Sequence, residues 1–409
     1  RKTTGGDLNR KCLNLHNGVN ITNEFLDAVK EDKEWRLIDP KSKEAIKNVS
    51  ARDLWWQLLH TRSETGEPYI VNIDNCNDAL PQQQKDLGLE VKQSNLCSEI
   101  TLPTNEERTA VCCLSSVNVE KFDDWSKDEQ FIEDLVTMLD NVLEQFIESA
   151  VDTAHYALGS YRANAERFKN YLKEDKNAYR KSAFSAYRER SIGLGAMGFH
   201  SYLQSKAIPF EGLRATSINH QVFKHIKEKA VDASKKLAND RGEAPDMVGS
   251  GLRNAHLLAV APNASSSIIC NGTSPSIEPS RANVYTHKTL SGSYKVQNKH
   301  LKNLLESKNK NTIEVWKDIA AHEGSVQHLD FLTDEEKEVF KTAPELNQIW
   351  IVEHAHQRQQ YICQSQSVNL FFIPPKATEP QETHDAFLQY INDVHWYGAK
   401  NLKSLYYLR

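Results

Sequence analysis

No run in this sequence approaches the roughly 18 apolar residues that a membrane-spanning helix needs, and no cleavable signal pattern opens it. Basic charge is not in excess. The formal net charge is -5, and short cationic runs such as Lys308-Asn309-Lys310 read as solvated surface. Neither a nucleic acid nor a membrane is therefore expected as a partner. A disulfide framework is also missing. The seven cysteines, at 12, 76, 97, 112, 113, 270 and 363, are odd in number and widely spread, which suits free thiols in a reducing compartment. The expected location is the cytoplasm. Several catalytic signatures are absent as well: no G-x-S-x-G, no G-x-x-x-x-G-K-[ST] and no H-E-x-x-H occurs. His354 and His356 stand two apart on an expected helix and so point to different faces, and no metal site is expected.

What is present is ordinary in bulk and specific in detail. Hydrophobic residues make up 39% and charged residues 26% of 409 residues, a soluble globular balance in a chain long enough for one large α/β barrel with an extra lobe. Ala51–Ser63 reads as an amphipathic helix with Ser50 as N-cap and Gly66 near its end. Residues 68–74, 108–119, 256–260, 365–372 and 404–408 have strand character, the second being rich in β-branched and small apolar residues. Phe131, Leu135, Leu139, Val142 and Phe146 recur at three- and four-residue spacing and predict one face of a helix over 129–149. Further helices are expected at 218–240, 344–361 and 383–398. The charged stretch 155–190 lacks a steady period and reads as a surface excursion of helical turns. Strands alternating with helices predict an α/β architecture with parallel strands. No internal repeat is found.

One motif matches by letter and fails by context. Gly193-Leu194-Gly195-Ala196-Met197-Gly198 spells G-x-G-x-x-G, but a dinucleotide site needs a buried apolar strand before it and an acid at a strand end about 20 residues later. Here YRERSI precedes it, and Glu211 falls in a Pro-Phe-Glu-Gly turn. The expected role of these glycines is to let a short strand and the helix that follows it pack closely.

Four segments carry candidate chemistry, each with a plainer reading beside it. In Asn95-Leu96-Cys97-Ser98-Glu99-Ile100, an amide, a thiol and a carboxylate at i, i+2 and i+4 share one face of an extended segment; a buried cysteine is otherwise a small hydrophobe. Cys112 and Cys113 are adjacent in an apolar strand, so at most one faces the same cavity as Cys97. Pro262-Asn263-Ala264-Ser265-Ser266 follows a strand and offers backbone N–H groups to an anion, or holds an ordinary serine N-cap. Tyr406-Tyr407 are adjacent aromatics in a strand, a common arrangement.

Taken together these segments resemble class I ribonucleotide reductase large subunits. The matching stretches are SNLCSEI (94–100), TAVCCLSSVN (109–118), ERSIGLGAMGFHSYL (189–203), GLRNAHLLAVAPNASSS (251–267), SIEP (276–279), LSGSYKV (290–296), CQSQSVN (363–369) and SLYYLR (404–409). They occur in the family's order over most of the chain. The resemblance implies the second part of a ten-stranded α/β barrel with a central finger loop, over residues 1–300, and a smaller C-terminal α/β lobe over 301–409. It implies reduction of ribonucleoside diphosphates for deoxyribonucleotide biosynthesis and DNA replication.

By the same resemblance Cys97 is the thiyl radical, Glu99 the base for the 3′-hydroxyl and Asn95 its hydrogen-bonding partner, with Leu96 and Ser98 lining the substrate. Cys112 is one of two reducing thiols. Tyr406 and Tyr407 pass the radical, and Pro262, Asn263, Ala264, Ser265 and Ser266 hold the diphosphate. Ala264 stands where some members have an acid, so backbone contacts are expected to dominate there. No cofactor is expected to bind directly. The radical comes from a metal-containing small subunit and electrons from thioredoxin or glutaredoxin.

The chain opens at Arg1 rather than methionine and closes on SLYYLR, and the second reducing cysteine has no match among Cys12, Cys76, Cys113, Cys270 or Cys363. An N-terminal portion of the large subunit is therefore an expected partner. The alternatives are a glycyl-radical or cobalamin-dependent relative with the same barrel, against which the tyrosine pair counts, and a non-catalytic assembly fragment. Retention of Asn95, Cys97, Glu99 and both tyrosines counts against the last.

Overall fold

A computed structural model describes residues 15–152, 178–289 and 292–409. Cys12, most of the expected surface excursion at 155–190 and the Leu290-Ser291 pair of LSGSYKV lie outside the described residues; of the excursion, Ala178–Glu189 is described and is helical.

The elements that line the site begin with Ala51–Thr65, a helix. Ser50 Oγ accepts the Asp53 N–H at 3.1 Å, supplying the side-chain cap that an unsatisfied first turn needs, and Gly66 ends the helix at φ 76° in the left-handed region. The helix buries Trp55, Leu59 and Arg62. The Arg62 guanidinium donates to the carbonyls of Pro68 and Tyr406, the latter at 2.9 Å, and burial pushes its pKa down to about 9. That one side chain ties the helix to two strands of the sheet below it.

The strands, in chain order, are β1 (Gly18–Ile21), β2 (Glu34–Ile38), β3 (Ala45–Ser50), β4 (Tyr69–Asn72), β5 (Leu114–Asn118), β6 (Gly193–Met197), β7 (Val284–Thr289), β8 (Gly292–Gln297) and β9 (Ser404–Leu405). β2–β3 and β7–β8 are antiparallel hairpins. The others join through single bridges at Leu194–Leu258, Val260–Gln366 and Leu370–Leu408 into a curved row. Side by side run β5, β6, 257–260, 364–372, 404–409, β4 and β1, the first five parallel to one another and the last two opposed to them. The parallel strands predicted from the alternation are there. The expected strand at 108–119 is shorter, and 256–260 and 365–372 pair by bridges rather than long ladders.

β6 shows why the glycine motif is present. All five of its residues are buried, and a Cβ on Gly195 would lie 2.5 Å from the Ala259 carbonyl oxygen. The missing side chain lets the third strand of the row approach. Gly195→Ala is therefore expected to destabilise the chain by about 1–3 kcal/mol, the usual cost of overpacking against backbone, measurable as a lower midpoint in urea. An unchanged midpoint would refute the close-approach argument.

Helix Phe131–Asp152 packs beside β5 and against Leu213–Arg241. Its buried stripe is Ile132, Val136, Leu139, Leu143 and Ile147; of the predicted face, Leu139 lies in that stripe and Phe131, Leu135 and Phe146 pack partly buried at its edge. Val142 is 48% exposed. The helix is apolar over more than one face, and the side facing the sheet, not the spacing alone, selects the buried line.

Residues 301–409 contribute to three buried clusters, one of them through Tyr406, which packs with Tyr69, Val71, Cys76, Leu80 and Val91. Val284, Leu301, Leu305, Trp316, Ile319, Val326, Leu329, Leu332, Val339 and Phe340 form a separate cluster with the β7–β8 hairpin. From Ala343 onward most of the other buried apolar residues rejoin the main core, which also holds Phe25, Trp55, Leu194 and Phe223. The reason is topological: 364–372 and 404–409 are strands of the row itself.

Candidate active site

The Asn95–Ile100 segment is a tight turn, not the extended segment expected from its alternation. Ser98 takes φ 66°, its N–H donates to the Asn95 carbonyl at 3.1 Å, and the Asn95 N–H donates to the Ile100 carbonyl at 3.2 Å. The Asn95 side chain folds back over this turn. Its Oδ1 accepts the Ile100 N–H at 3.0 Å, and its Nδ2 donates to Glu99 Oε2 at 2.8 Å. Asn95, Cys97 and Glu99 thus do converge, but through a turn that no residue period encodes.

Distant segments staple the turn against the row of strands. The Ser365 N–H donates to the Glu99 carbonyl at 2.9 Å. Ser367 Oγ donates to the Cys97 carbonyl and lies 3.4 Å from Glu99 Oε2. Ser404 Oγ donates to the Ser98 carbonyl at 3.0 Å. Glu99 is 2% exposed, and burial raises its pKa above the usual carboxylate value despite the Asn95 and Ser367 hydrogen bonds. Burial, then the neighbouring Glu99 charge, likewise raises the Cys97 thiol, so that thiol stays protonated. Leu96, at the tip, is 47% exposed.

Tyr406 Oη donates to Cys97 Sγ at 3.8 Å. Its ring lies 4.1 Å from that of Tyr407, centroid to centroid and tilted by 38°. Burial and both of these partners raise the Tyr406 phenol's pKa far above its ordinary value. Tyr407 Oη lies 2.5 Å from His16 Nδ1, which also pairs with Glu67 at 2.6 Å. Cys97, Tyr406, Tyr407 and His16 therefore form a continuous chain of contacts.

Cys113 is buried, and its thiol contacts the Leu139 carbonyl at 3.6 Å in the main core. Cys112 is exposed. Loss of water on its inner side pushes its thiol up to about 11, with Glu99, Cys113 and Cys97 adding to the effect. The two cysteines thus face different surroundings although both precede β5, with Cys112 in the electrostatic neighbourhood of Cys97 and Glu99.

The Pro262–Ser266 turn starts two residues after Val260, whose carbonyl accepts the Ser367 N–H at 2.9 Å. It is therefore anchored to the same segment that holds Cys97. Asn263 takes φ 51° and exchanges hydrogen bonds with Ser116 of β5 at 3.1–3.2 Å. Ser265 precedes the short helix Ser266–Ile269 but makes no side-chain cap, so the plain N-cap reading fails. Ala264 and Ser265 are exposed.

Sequence reasoning passed over the residues that hold the site. Ser365, Ser367 and Ser404 grip the turn, and Asn369 Oδ1 accepts the Tyr407 N–H at 3.1 Å. Asn369 also donates to Glu278, a buried carboxyl that loss of water pushes up to about 7. The Q-S-Q-S alternation at 364–367 was a readable signal, since i and i+2 share a face of a strand. Nothing in the sequence marked His16.

Among the described residues no helix is long and apolar enough to cross a membrane. The chain matches the family described as ribonucleotide reductase, barrel domain, over residues 1–250 and 245–408. It is 46% identical over its whole length to a protein of Frog virus 3 (isolate Goorha) assigned as a ribonucleoside-diphosphate reductase large subunit, covering 66% of it. It is 42% identical, again over its whole length, to the ribonucleoside-diphosphate reductase large subunit of Invertebrate iridescent virus 3, covering 68% of it. Among solved structures it superposes on the Actinobacillus ureae class Id ribonucleotide reductase alpha subunit with a TM-score of 0.77 and 36% identity, over 96% of this chain and 64% of that one. The chain thus spans about two thirds of the length of these relatives.

Proposed function

The chain belongs to the ribonucleotide reductase barrel-domain family, and on that premise we propose that it carries the reducing site for ribonucleoside diphosphates, with Cys97 as its radical residue. The observation that carries this reading is the contact chain from Tyr407 through Tyr406 to Cys97, ending beside a buried carboxylate. In this reading the curved row of strands is one part of a ten-stranded α/β barrel, and Asn95–Ile100 is its finger loop.

The proposed chemistry follows from the groups. A neutral thiol can lose a hydrogen atom where a thiolate cannot, so the raised pKa of Cys97 suits a radical role. Tyr406, also held neutral, exchanges that atom with Cys97 across one contact, and the Tyr406–Tyr407 pair relays electron and proton together. As a thiyl, Cys97 takes the 3′ hydrogen of the ribose, an S–H bond forming as the C–H bond breaks. Glu99, steadied by Asn95, accepts the 3′-hydroxyl proton as the 2′-hydroxyl leaves as water, its proton coming from Cys112. Two electrons reach the sugar from Cys112 and a second thiol, expected on an N-terminal companion, and the pair ends as a disulfide that thioredoxin or glutaredoxin reduces. Enclosure by the strands keeps the radical from solvent. The Pro262–Ser266 backbone would hold the diphosphate. The radical would originate on a separate metal-containing small subunit. The free cysteines among the described residues fit a reducing cytoplasm.

The test is reconstitution of the chain with an N-terminal companion and a radical-generating small subunit, with deoxyribonucleoside diphosphates followed chromatographically. Product formation that Cys97→Ser abolishes supports the reading; product formation that survives Cys97→Ser would leave the chain a scaffold.

Glu99 adds a pH prediction. Its pKa is raised in the folded protein, and the base is needed ionised, so activity falls as pH drops through that raised value. Glu99→Gln is expected to remove this acid limb and to lower kcat by about 10²–10⁴-fold, the usual worth of a positioned base. A pH–rate profile that keeps its acid limb in the variant would reassign the base.

A further inference from the structure

Helix Ile313–Ala321 takes no part in the chemistry above. It ends in a tight reversal within the small core around Trp316. Glu323 and Gly324 both adopt left-handed backbone, at φ 57° and 86°, and the Gly324 N–H donates to the Ile319 carbonyl at 2.8 Å. The Gly324 carbonyl accepts the backbone and side-chain N–H groups of Asn283 at 3.1 and 3.0 Å. Val326 and Leu329, both buried, then anchor the returning segment in the same core. His328 stands between these two anchors and is carried back over the helix end.

Among the described residues, Asp318, His322 and His328 form the one group of three ligating side chains whose donor atoms all lie within 4.8 Å of one another. Asp318 and His322 are four apart and share a face at the helix end. His322 Nδ1 lies 3.3 Å from Asp318 Oδ1, and His328 Nε2 lies 3.0 Å from Asp318 Oδ2. Bonds of about 2.0–2.1 Å at tetrahedral angles put neighbouring ligand atoms about 3.3 Å apart, so these separations suit an ion of zinc's size. His322 Nδ1 also donates to the Asp318 backbone carbonyl at 2.9 Å. That carbonyl accepts the His322 N–H at 3.1 Å as well, and it stays satisfied when the ring turns to an ion. The two rings stack, 3.6 Å between centroids and tilted by 21°. To converge on one ion they open from this stack, a rotation available to side chains that are 50% and 26% exposed.

We propose that Asp318, His322 and His328 bind one divalent transition-metal ion of the zinc class, at a site separate from the reducing site and independent of its chemistry. Two imidazole nitrogens and one carboxylate are a donor set that such an ion favours, whereas calcium and magnesium call for oxygen ligands throughout. The fourth position faces solvent and takes water. Bound there, the ion ties the end of helix Ile313–Ala321 to the segment that carries Val326 and Leu329, and so closes the small core across its reversal. Only the D-x-x-x-H half of the site is local in sequence, and that spacing is common on solvated helices. The third ligand depends on the Glu323–Gly324 reversal.

The test uses the full chain and a zinc salt alone. Histidines are carbethoxylated with diethyl pyrocarbonate, with and without zinc, and the rate at each position is read by peptide mass spectrometry. With zinc at about 0.1 mM, His322 and His328 should both react at least about five-fold more slowly, the protection given by a site roughly four-fifths filled. His60, whose side chain is 73% exposed and lies outside the group, should keep its rate. Magnesium at the same concentration should protect neither His322 nor His328. His328→Ala, at a partly exposed position, should abolish the protection of His322. Unchanged rates at His322 and His328, equal protection of His60, equal protection by magnesium, or protection of His322 that survives His328→Ala would each overturn the proposal. The comparison with His60 is internal to the unmodified chain and does not depend on how the variant folds.

Discussion

Tyr406→Phe is expected to stop turnover in the reconstituted enzyme while leaving diphosphate binding in place. The substitution removes one oxygen and keeps the ring that packs against Tyr69 and Tyr407, at 6.4 and 4.1 Å between centroids. Structurally the loss is one hydrogen bond to sulfur at 3.8 Å, worth about 1 kcal/mol or less. Chemically it is complete, because a phenyl ring has no O–H from which a proton and an electron can leave together. Turnover should fall at least about a thousand-fold, which corresponds to roughly 4 kcal/mol of barrier. The affinity for a ribonucleoside diphosphate should change by less than about two-fold, since binding energy and transition-state stabilisation come from different groups. Electron paramagnetic resonance distinguishes a relay from a packing role: radical density should reach Tyr407 in the variant and go no further. Retained turnover, or lost turnover with equally lost binding, would remove Tyr406 from the path.

That Asn95, Cys97 and Glu99 converge could be expected from the sequence, but the geometry that brings them together could not. Ser50, Gly66 and the helix between them could be read directly, because capping and the αL stop are local chemistry. The glycine motif could be read as a packing device for the same reason, since its failure as a nucleotide site lay in its immediate neighbours; its partner at Gly195 is the strand at 257–260, through the Ala259 carbonyl, and not the following helix that was expected. The turn at Asn95–Ile100 could not be read. Its shape depends on Ser365, Ser367 and Ser404, which arrive from more than 250 positions away, and alternation along the chain predicts only what an unstapled strand would do. The predicted face of Phe131–Asp152 was offset for a related reason: it includes Leu139 and the partly buried Phe131, Leu135 and Phe146, and misses Ile132, Val136, Leu143 and Ile147. Both stripes are apolar, and the sheet chose between them.

A similar long-range dependence explains how 301–409 shares its apolar residues between clusters. Its first part closes a small core of its own with Val284 and the β7–β8 hairpin. Its last part supplies strands to the row and the residues that grip the Cys97 turn. Strand order in a row is a property of pairing between distant segments, and composition carries no trace of it.

Asp140→Ala is expected to produce the largest loss of stability of any single substitution considered. Asp140 is fully buried on helix Phe131–Asp152. Its Oδ2 accepts Arg241 Nη1 at 2.8 Å, and its Oδ1 lies 3.3 Å from Arg253 Nε and 3.5 Å from Arg190 Nη1. Asn254 Nδ2 stands 3.5 Å from the same oxygen. Three guanidinium groups from three segments therefore converge on one carboxylate, with Glu144 the other acid nearby, pairing with Arg190 and 3.9 Å from Arg253. Arg190 holds this position at φ 49°, in the left-handed region that a residue with a side chain rarely adopts, so the cluster also offsets local backbone strain. Removing the carboxylate leaves buried positive charges facing one another, and breaking such a cluster from one side costs about 3–5 kcal/mol. For a chain of 409 residues that corresponds to a melting temperature lower by roughly 3–6 °C. Asp140→Asn keeps the volume and one acceptor and should cost less than the alanine. Adding Arg253→Met to Asp140→Ala should recover part of the loss, because it withdraws one of the unpaired charges; a double-mutant cycle with no coupling would show that the three arginines are solvated independently and that the cluster does not hold the helix to the row.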